Sequence, residues 1–142
     1  MRKNMSNVYK RNRKQSPMDV INKAKSLLEQ TYSLIMNEKK VAKKHRYFLG
    51  KSLYDSANTI MCSVFKANNI FPRSEEEIEK RRNYQNIALY ECSLFLNLLD
   101  VYSNILPNTS YKDVESLAAT ATSIKALIVA WKKSDVDHFI SK

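Results

Sequence analysis

The sequence predicts an all-α fold, an antiparallel four-helix bundle with up-down-up-down order. Three observations carry this prediction. The 142 residues include one glycine and three prolines, whereas the tight turns of all-β proteins draw heavily on both residue types. Four segments repeat apolar residues at spacings of mostly three and four, which is the period of one helix face. Short connections between the segments make successive helices antiparallel neighbours.

The first two helices are predicted over residues 17–37 and from Lys44 to about Asn69. Ser16 followed by Pro17 is typical of an N-cap and a first helical position. The apolar face of helix one comprises Ile21, Ala24, Leu28, Thr31 and Ile35, and that of helix two Leu49, Leu53, Ser56, Ile60 and Val64. A glycine inside helix two, Gly50, destabilises it by up to about 1 kcal/mol relative to alanine. We expect another backbone or a ligand to approach closely there, unless the glycine reflects sequence drift.

The last two helices follow clear start signals. Ser74 and Glu77 form a capping box that begins helix three, which we expect to run to about Ile105 and to be about 45 Å long. Its predicted apolar face is Ile87, Cys92 or Glu91, Leu94, Leu98, Val101 and Ile105. Ser110 is the expected N-cap of helix four, whose face is Val114, Leu117, Ala121, Ile124, Ile128 and Trp131. One bundle over 16–134 is therefore expected between a disordered basic tail, 1–15, and a frayed end, 135–142.

The net charge of +10 is concentrated in two places. Residues 1–15 contain six basic and no acidic residues, and residues 38–51, called the basic segment below, contain six basic residues and Glu38. Such a charge favours a polyanionic partner, and nucleic acid comes before an acidic membrane surface. Tyr47 and Phe48 lie within the basic segment, where they could stack on unpaired bases. The simpler interpretation of this segment is a solvated loop.

The predicted nucleic-acid contacts come from three groups. The basic segment contributes Lys39, Lys40, Lys43, Lys44, Arg46 and Lys51, the tail contributes Lys10, Arg11, Arg13 and Lys14, and helix three contributes Arg81 and Arg82. The basic residues of helix three could instead pair with Glu76, Glu77 and Glu79 at helical spacing.

Several function classes are not expected from this composition. A single glycine excludes a glycine-rich phosphate loop, and Cys62 and Cys92 are expected to be buried, inert thiols. His45 and His138 lack the Glu-x-x-His pattern of di-iron bundles, and the acids of 75–79 suit capping better than a magnesium site. We therefore expect no catalytic residue, metal, cofactor or small-molecule substrate. We also expect no membrane span or secretory signal, and a cytoplasmic protein with reduced thiols.

Two stretches resemble a known family. Residues 43–53, with the sequence KKHRYFLGKSL, together with Ala57, Ile60 and Ala67-Asn68, resemble the start of helix two in the accessory variability determinant proteins of diversity-generating retroelements. The stretch Ala130-Trp131-Lys132-Lys133-Ser134 resembles the end of helix four in the same family. The wider family of four-helix bundles also includes the intervening-sequence proteins of large-subunit ribosomal RNA genes.

The resemblance implies a non-catalytic bundle that assembles into a homopentamer. It also implies binding of template RNA or complementary DNA and of the element's reverse transcriptase, in support of mutagenic complementary-DNA synthesis. By position, Lys43, Lys44, Arg46 and Lys51 match the basic opening of the family's second helix, and Gly50 matches its glycine. Eight tyrosines, too many for one core, suit either an oligomer interface or edge packing. The alternative function is a structural bundle of the intervening-sequence type without a reverse transcriptase partner.

Overall fold

The computed structural model describes residues 17–106 and 111–140, and this part of the chain is all-α, with four main helices and no strand. Two short helical turns lead into the second helix, and a π-helical turn extends the fourth. The main helices are α1 (Pro17–Ile35), α2 (Lys51–Asn68), α3 (Glu75–Ile105) and α4 (Tyr111–Asp135); the turns are Lys43–His45 and Arg46–Gly50 before α2, and Val136–Ile140 after α4. The predicted all-α class is confirmed.

The start of α3 follows the predicted capping box. Ser74 has an extended backbone, and its hydroxyl oxygen accepts a hydrogen bond from the amide of Glu77 at 3.2 Å. The side chains of the two residues also meet, with Ser74 Oγ 3.5 Å from Glu77 Oε1. Three glutamates in the first turn, Glu75, Glu76 and Glu77, interact favourably with the positive end of the helix dipole. The sequence signal for this boundary is therefore confirmed.

A single apolar core lies between the four helices. Helix α1 packs on α2 and α4, and α3 packs on the same two helices. The predicted faces of α2 and α4 are confirmed in large part, because they point into this core. Its fully buried members include Leu53, Ile60 and Val64 from α2 and Leu117, Ala121, Ile124 and Ile128 from α4. In α1 the face is shifted slightly, since Leu27 is fully buried and Leu28 only partly so.

The predicted core face of α3 is confirmed at Cys92 and in part at Leu98, and it is wrong at its other positions. The side chains buried from this helix are Ala88, Cys92, Phe95, Leu99 and Tyr102, whereas four of the predicted positions, Ile87, Leu94, Val101 and Ile105, are exposed. Helix α3 has two rows of apolar residues at helical spacing, and α2 and α4 cover only one of them. Burial has a physical consequence for the covered row: it raises the pKa of the Cys92 thiol and of the Tyr102 hydroxyl to about 12.

The C-terminal end also differs from expectation. Residues 135–140 continue as helix and π-helical turn rather than as a frayed tail. Asp135, the last residue of α4, forms an ion pair with Arg81 of α3, a contact that the sequence pattern did not reveal.

One stretch within residues 17–106 and 111–140, Lys112–Phe139, is long and apolar enough to cross a membrane by length and composition. The sequence analysis expects no such stretch. It contains α4, which supplies core residues such as Ile124 and Ile128 to the bundle, and core helices of water-soluble proteins meet the same criterion.

Candidate nucleic-acid interface

The basic segment forms the connection between α1 and α2 and the first turns that lead into α2. Its fold is set by Asn37 and Val41. The Asn37 carbonyl accepts hydrogen bonds from the amides of Lys40 at 3.0 Å and Val41 at 2.8 Å, and its side-chain oxygen accepts one from the amide of Lys39 at 3.0 Å. The Val41 side chain is fully buried. This turn therefore holds the flanking lysines in a defined place.

Arg46 anchors the segment rather than projecting into solvent. Its guanidinium donates a hydrogen bond to the carbonyl oxygen of Met36 at 3.3 Å and lies 3.6 Å from a carboxylate oxygen of Glu38. The side chain is largely buried. A cation at the carbonyl end of α1 also interacts favourably with the negative end of the helix dipole. Arg46 is thus a structural residue of the basic segment, and its predicted role as a phosphate contact is not needed to explain its position.

Two more of the predicted basic residues have carboxylate partners. Lys40 Nζ lies 2.8 Å from Asp113 Oδ2, which ties the basic segment to the first turns of α4. Lys51 Nζ lies 2.7 Å from Asp55 Oδ2 on the next turn of α2. The hydrogen bond and the negative charge of Asp55 raise the pKa of Lys51 above its usual value.

The remaining three lysines of the basic segment are the exposed cations of this region. Lys39, Lys43 and Lys44 point into solvent, and no carboxylate of residues 17–106 or 111–140 forms an ion pair with them. Three exposed positive charges within six residues of the chain suit contact with a polyanion.

A pocket of about 430 Å³ is lined by one of these lysines, Lys43. It lies between the end of α1 and the beginning of α2. Its walls are aromatic and aliphatic with cations around them, and they consist of Tyr32, Ile35, Met36, Lys43, Arg46, Tyr47, Gly50, Lys51 and Tyr54. The Tyr32 and Tyr54 rings meet edge to face, with centroids 6.2 Å apart. Tyr47 meets Phe48 in the same way at 5.2 Å.

Gly50 explains how the two helices come close enough to form this pocket. It has an ordinary helical backbone, with φ −65° and ψ −40°. A Cβ at this position would lie 2.6 Å from Cγ2 of Ile35, closer than carbon atoms approach in proteins. The expected close approach at Gly50 is therefore found, and the neighbour is a buried side chain of α1.

The third predicted group, on α3, does not form one exposed surface. The guanidinium of Arg81 binds both carboxylate oxygens of Asp135 at 2.9 Å, and its side chain is only 12% exposed. It also donates to the Ile70 carbonyl at 3.1 Å and stacks over the Trp131 ring at 5.0 Å. Arg81 is therefore removed from the predicted interface. Arg82 is exposed.

The alternative pairing on α3 is correct for Lys80 but not for Arg81. Lys80 Nζ lies 3.8 Å from Glu76 one turn earlier, whereas Arg81 takes its carboxylate from α4. Gln85 completes this arrangement, because its side-chain amide donates to Asp135 Oδ2 at 2.9 Å. The contact joins α3, α4 and the α2–α3 connection at one end of the molecule.

The predicted contacts of the tail, Lys10, Arg11, Arg13 and Lys14, lie outside the described residues. Within the described ranges, no group of three or more His, Cys, Asp or Glu side chains could hold a metal ion. Cys92 is buried as expected, whereas the expectation of a buried thiol is wrong for Cys62, which is half-buried on α2.

The sequence analysis missed Tyr32 and Tyr54 as members of this region. They lie on the two helices that flank the basic segment, where a tyrosine fits the amphipathic pattern and gives no separate signal. The available signal was Gly50, because a helical glycine that marks a close approach places the last turn of α1 against the first turns of α2.

Comparison with known proteins gives no relative: no family model, curated protein or solved structure matches the chain. The family resemblance therefore stays a prediction that depends on the residues quoted for it.

Proposed function

We propose that this protein is a non-catalytic nucleic-acid-binding protein, an accessory protein of a diversity-generating retroelement that binds template RNA or complementary DNA. One observation carries the proposal: the exposed Lys43 lines an aromatic pocket, and two more exposed lysines, Lys39 and Lys44, lie within four residues of it in the chain. Lysines neutralise phosphates without reading sequence, and aromatic rings stack on unpaired bases. This combination is typical of proteins that bind single-stranded nucleic acid.

The electrostatic part of the proposal has a measurable size. Neutralising three phosphates of a single strand gives a slope of about −2 for the logarithm of the binding constant against the logarithm of salt concentration. Affinity should then fall roughly 20-fold between about 50 and 200 mM salt. Further contacts from the tail would make the slope steeper.

The test is fluorescence anisotropy with a labelled single-stranded RNA at several salt concentrations. The variant Lys39→Gln/Lys43→Gln/Lys44→Gln should bind more weakly and with a shallower slope. The matched control, Lys23→Gln/Lys25→Gln/Lys133→Gln, removes the same charge from other exposed positions and should bind nearly as the wild type does. Wild-type binding that is absent at low salt, or that does not respond to salt, would refute the proposal. Arg46 is left unchanged because it anchors the segment.

The proposal includes the predicted up-down-up-down order of the helices. Contacts between helix ends support it. Lys66, near the end of α2, lies over the ring of Tyr84, in the early part of α3. Lys132, near the end of α4, binds Asn86, and Lys125 binds Ser93 further along α3 at 3.1 Å. Between α4 and α3, the partner's number falls from Ser93 to Asn86 as the number on α4 rises from Lys125 to Lys132, as expected for antiparallel helices. The contact of Lys66 with Tyr84 joins the end of α2 to the early part of α3, which the same order requires.

The proposal also includes self-association, with the pentamer coming from the family resemblance. The exposed apolar row of α3 supports it. Its members, spaced three, four and seven apart, are Ile87, Tyr90, Leu94, Val101 and Ile105. Exposed apolar rows of this length mark interfaces. Native mass spectrometry measures the subunit number, and Leu94→Glu/Val101→Glu should yield monomers that keep their helical circular dichroism.

The reverse transcriptase partner comes from the same resemblance. Co-expression with the reverse transcriptase encoded beside this gene, followed by affinity purification, tests it. A neighbouring reverse transcriptase gene with template and variable repeats supports the retroelement function. Placement inside a ribosomal RNA gene supports the alternative, a structural bundle of the intervening-sequence type.

A further inference from the structure

The pocket between α1 and α2 exposes aromatic rings to solvent in the most basic part of the described chain. Tyr47 is 71% exposed and Tyr32 is 54% exposed, and the nearby Met36 is also exposed. The volume of about 430 Å³ lies within the range of about 300–1,000 Å³ that ligand pockets usually have. An apolar pocket of this size, open to solvent, has room for a flat ring system.

The rim of the pocket sets the chemistry of its occupant. Lys43, which forms no ion pair within the described residues, lines it together with Lys51, whose charge is shared with Asp55. Lys39 and Lys44 are exposed in the same basic segment. A neutral apolar ligand would gain nothing from these cations. A ligand that packs against the aromatic walls and also pairs with the lysines has an aromatic face with negative charges on either side of it.

We propose that this pocket holds one unpaired base of a single-stranded RNA or DNA, stacked on a tyrosine ring, with a flanking phosphate on Lys43. The inference rests on the proposed function and adds to it a preference for unpaired strands. Base pairs inside a duplex are stacked on their neighbours and offer no free face to a protein ring. Lysine contacts alone do not distinguish a single strand from a duplex by base stacking.

The experiment uses the purified full-length chain and a single-stranded oligouridine with one 2-aminopurine, whose fluorescence falls on stacking. The variant Tyr32→Ala/Tyr47→Ala removes the two most exposed rings of the pocket. Its affinity for the single strand should fall about 5-fold to 150-fold, the range that the loss of one base–aromatic stack gives, and the quenching should disappear. The salt slope should stay unchanged because the lysines remain.

Two controls separate stacking from folding and from charge. Phe65→Ala removes an aromatic ring that is 53% exposed on α2, outside the pocket, and should leave affinity and quenching unchanged. Lys43→Gln should make the salt slope shallower by about 0.7 while quenching of the bound strand persists. Circular dichroism confirms that each variant keeps its helices.

The outcomes of the pocket test and of the proposed function are distinguishable. If the wild type binds a single strand and a duplex equally, with the same salt slope, and the tyrosine variant binds like the wild type, the pocket inference is wrong while the nucleic-acid function stands. If the wild type binds neither the single strand nor the duplex, the pocket inference and the proposed nucleic-acid function are both wrong. If a short acidic peptide containing tryptophan binds the pocket and no oligonucleotide does, the site is a protein-docking site and the inference is overturned.

Discussion

Replacing Gly50 with alanine should destabilise the protein, although alanine is the better helix former. The added Cβ would lie 2.6 Å from Cγ2 of Ile35 and 3.3 Å from its Cγ1. Ile35 is buried, and a β-branched side chain has little freedom to rotate out of the way. The two helices must therefore move apart or Ile35 must adopt a less favourable rotamer.

The magnitude follows from two opposing terms. Inserting a methyl group into a packed core typically destabilises by about 1–3 kcal/mol, whereas replacing a helical glycine with alanine gains about 0.5–1 kcal/mol. The net change is a loss of roughly 1 kcal/mol, with a range from about 0 to 2.5 kcal/mol. For a chain of this size that corresponds to a fall in Tm of about 3 °C.

A double-mutant cycle isolates the contact. Gly50→Ala is measured alone and in an Ile35→Leu background, by urea unfolding followed by circular dichroism. Leucine has no Cγ2 methyl, so the alanine should be tolerated there and should stabilise by up to about 1 kcal/mol. Ile35→Ala provides a second background that removes both γ carbons. If Gly50→Ala stabilises all three backgrounds equally, the close approach does not limit this position and the reasoning fails.

Four further predictions concern the ends and the core of the helices. Arg81→Met leaves Asp135 without its main partner and should destabilise by about 3–5 kcal/mol in urea unfolding, while Arg81→Met/Asp135→Leu should recover most of the loss; a loss that persists in the double variant would contradict the ion-pair account. At pH 8, iodoacetamide should modify Cys62 in the folded protein but Cys92 only in urea, and mass spectrometry of peptides reads this directly. Because burial raises the pKa of Cys92 to about 12, its contribution to stability is present below the unfolded value of about 8.5 and is lost as the pH rises toward 12. Cys92→Ala should therefore show a smaller fall in unfolding free energy over that pH range, and an unchanged fall would count against burial as the cause. Ser74→Ala should destabilise by about 1 kcal/mol through loss of the N-cap, and Ser74→Asp, which keeps an acceptor, should not.

The sequence predicts those features that depend on residues close to one another in the chain. The capping box at Ser74 and the apolar rows of α2 and α4 are local patterns, and the structure follows them. Gly50 is a local anomaly, and it marks a true close approach. In these cases neighbouring residues in the sequence contain the physical cause.

The predictions that failed concern features that depend on residues distant in the sequence. Helix α3 has one apolar row through Leu94 and Val101 and another through Phe95 and Leu99, and only the packing of α2 and α4 selects the buried one. Arg81 had plausible partners one turn away, but its carboxylate comes from Asp135, 54 residues later. The pocket has the same origin, since its tyrosines come from both α1 and α2.

The anchoring of the basic segment has an entropic consequence for binding. Its turn is fixed by the buried Val41 side chain and by the Asn37 hydrogen bonds, so the backbone that carries Lys39 and Lys43 is ordered before any ligand arrives. A binding surface that is already ordered loses less conformational freedom on association. In the proposed complex, residues that do not touch the nucleic acid would therefore contribute to affinity. Truncating Val41 should weaken the proposed binding by disordering the free protein, with every charge still in place.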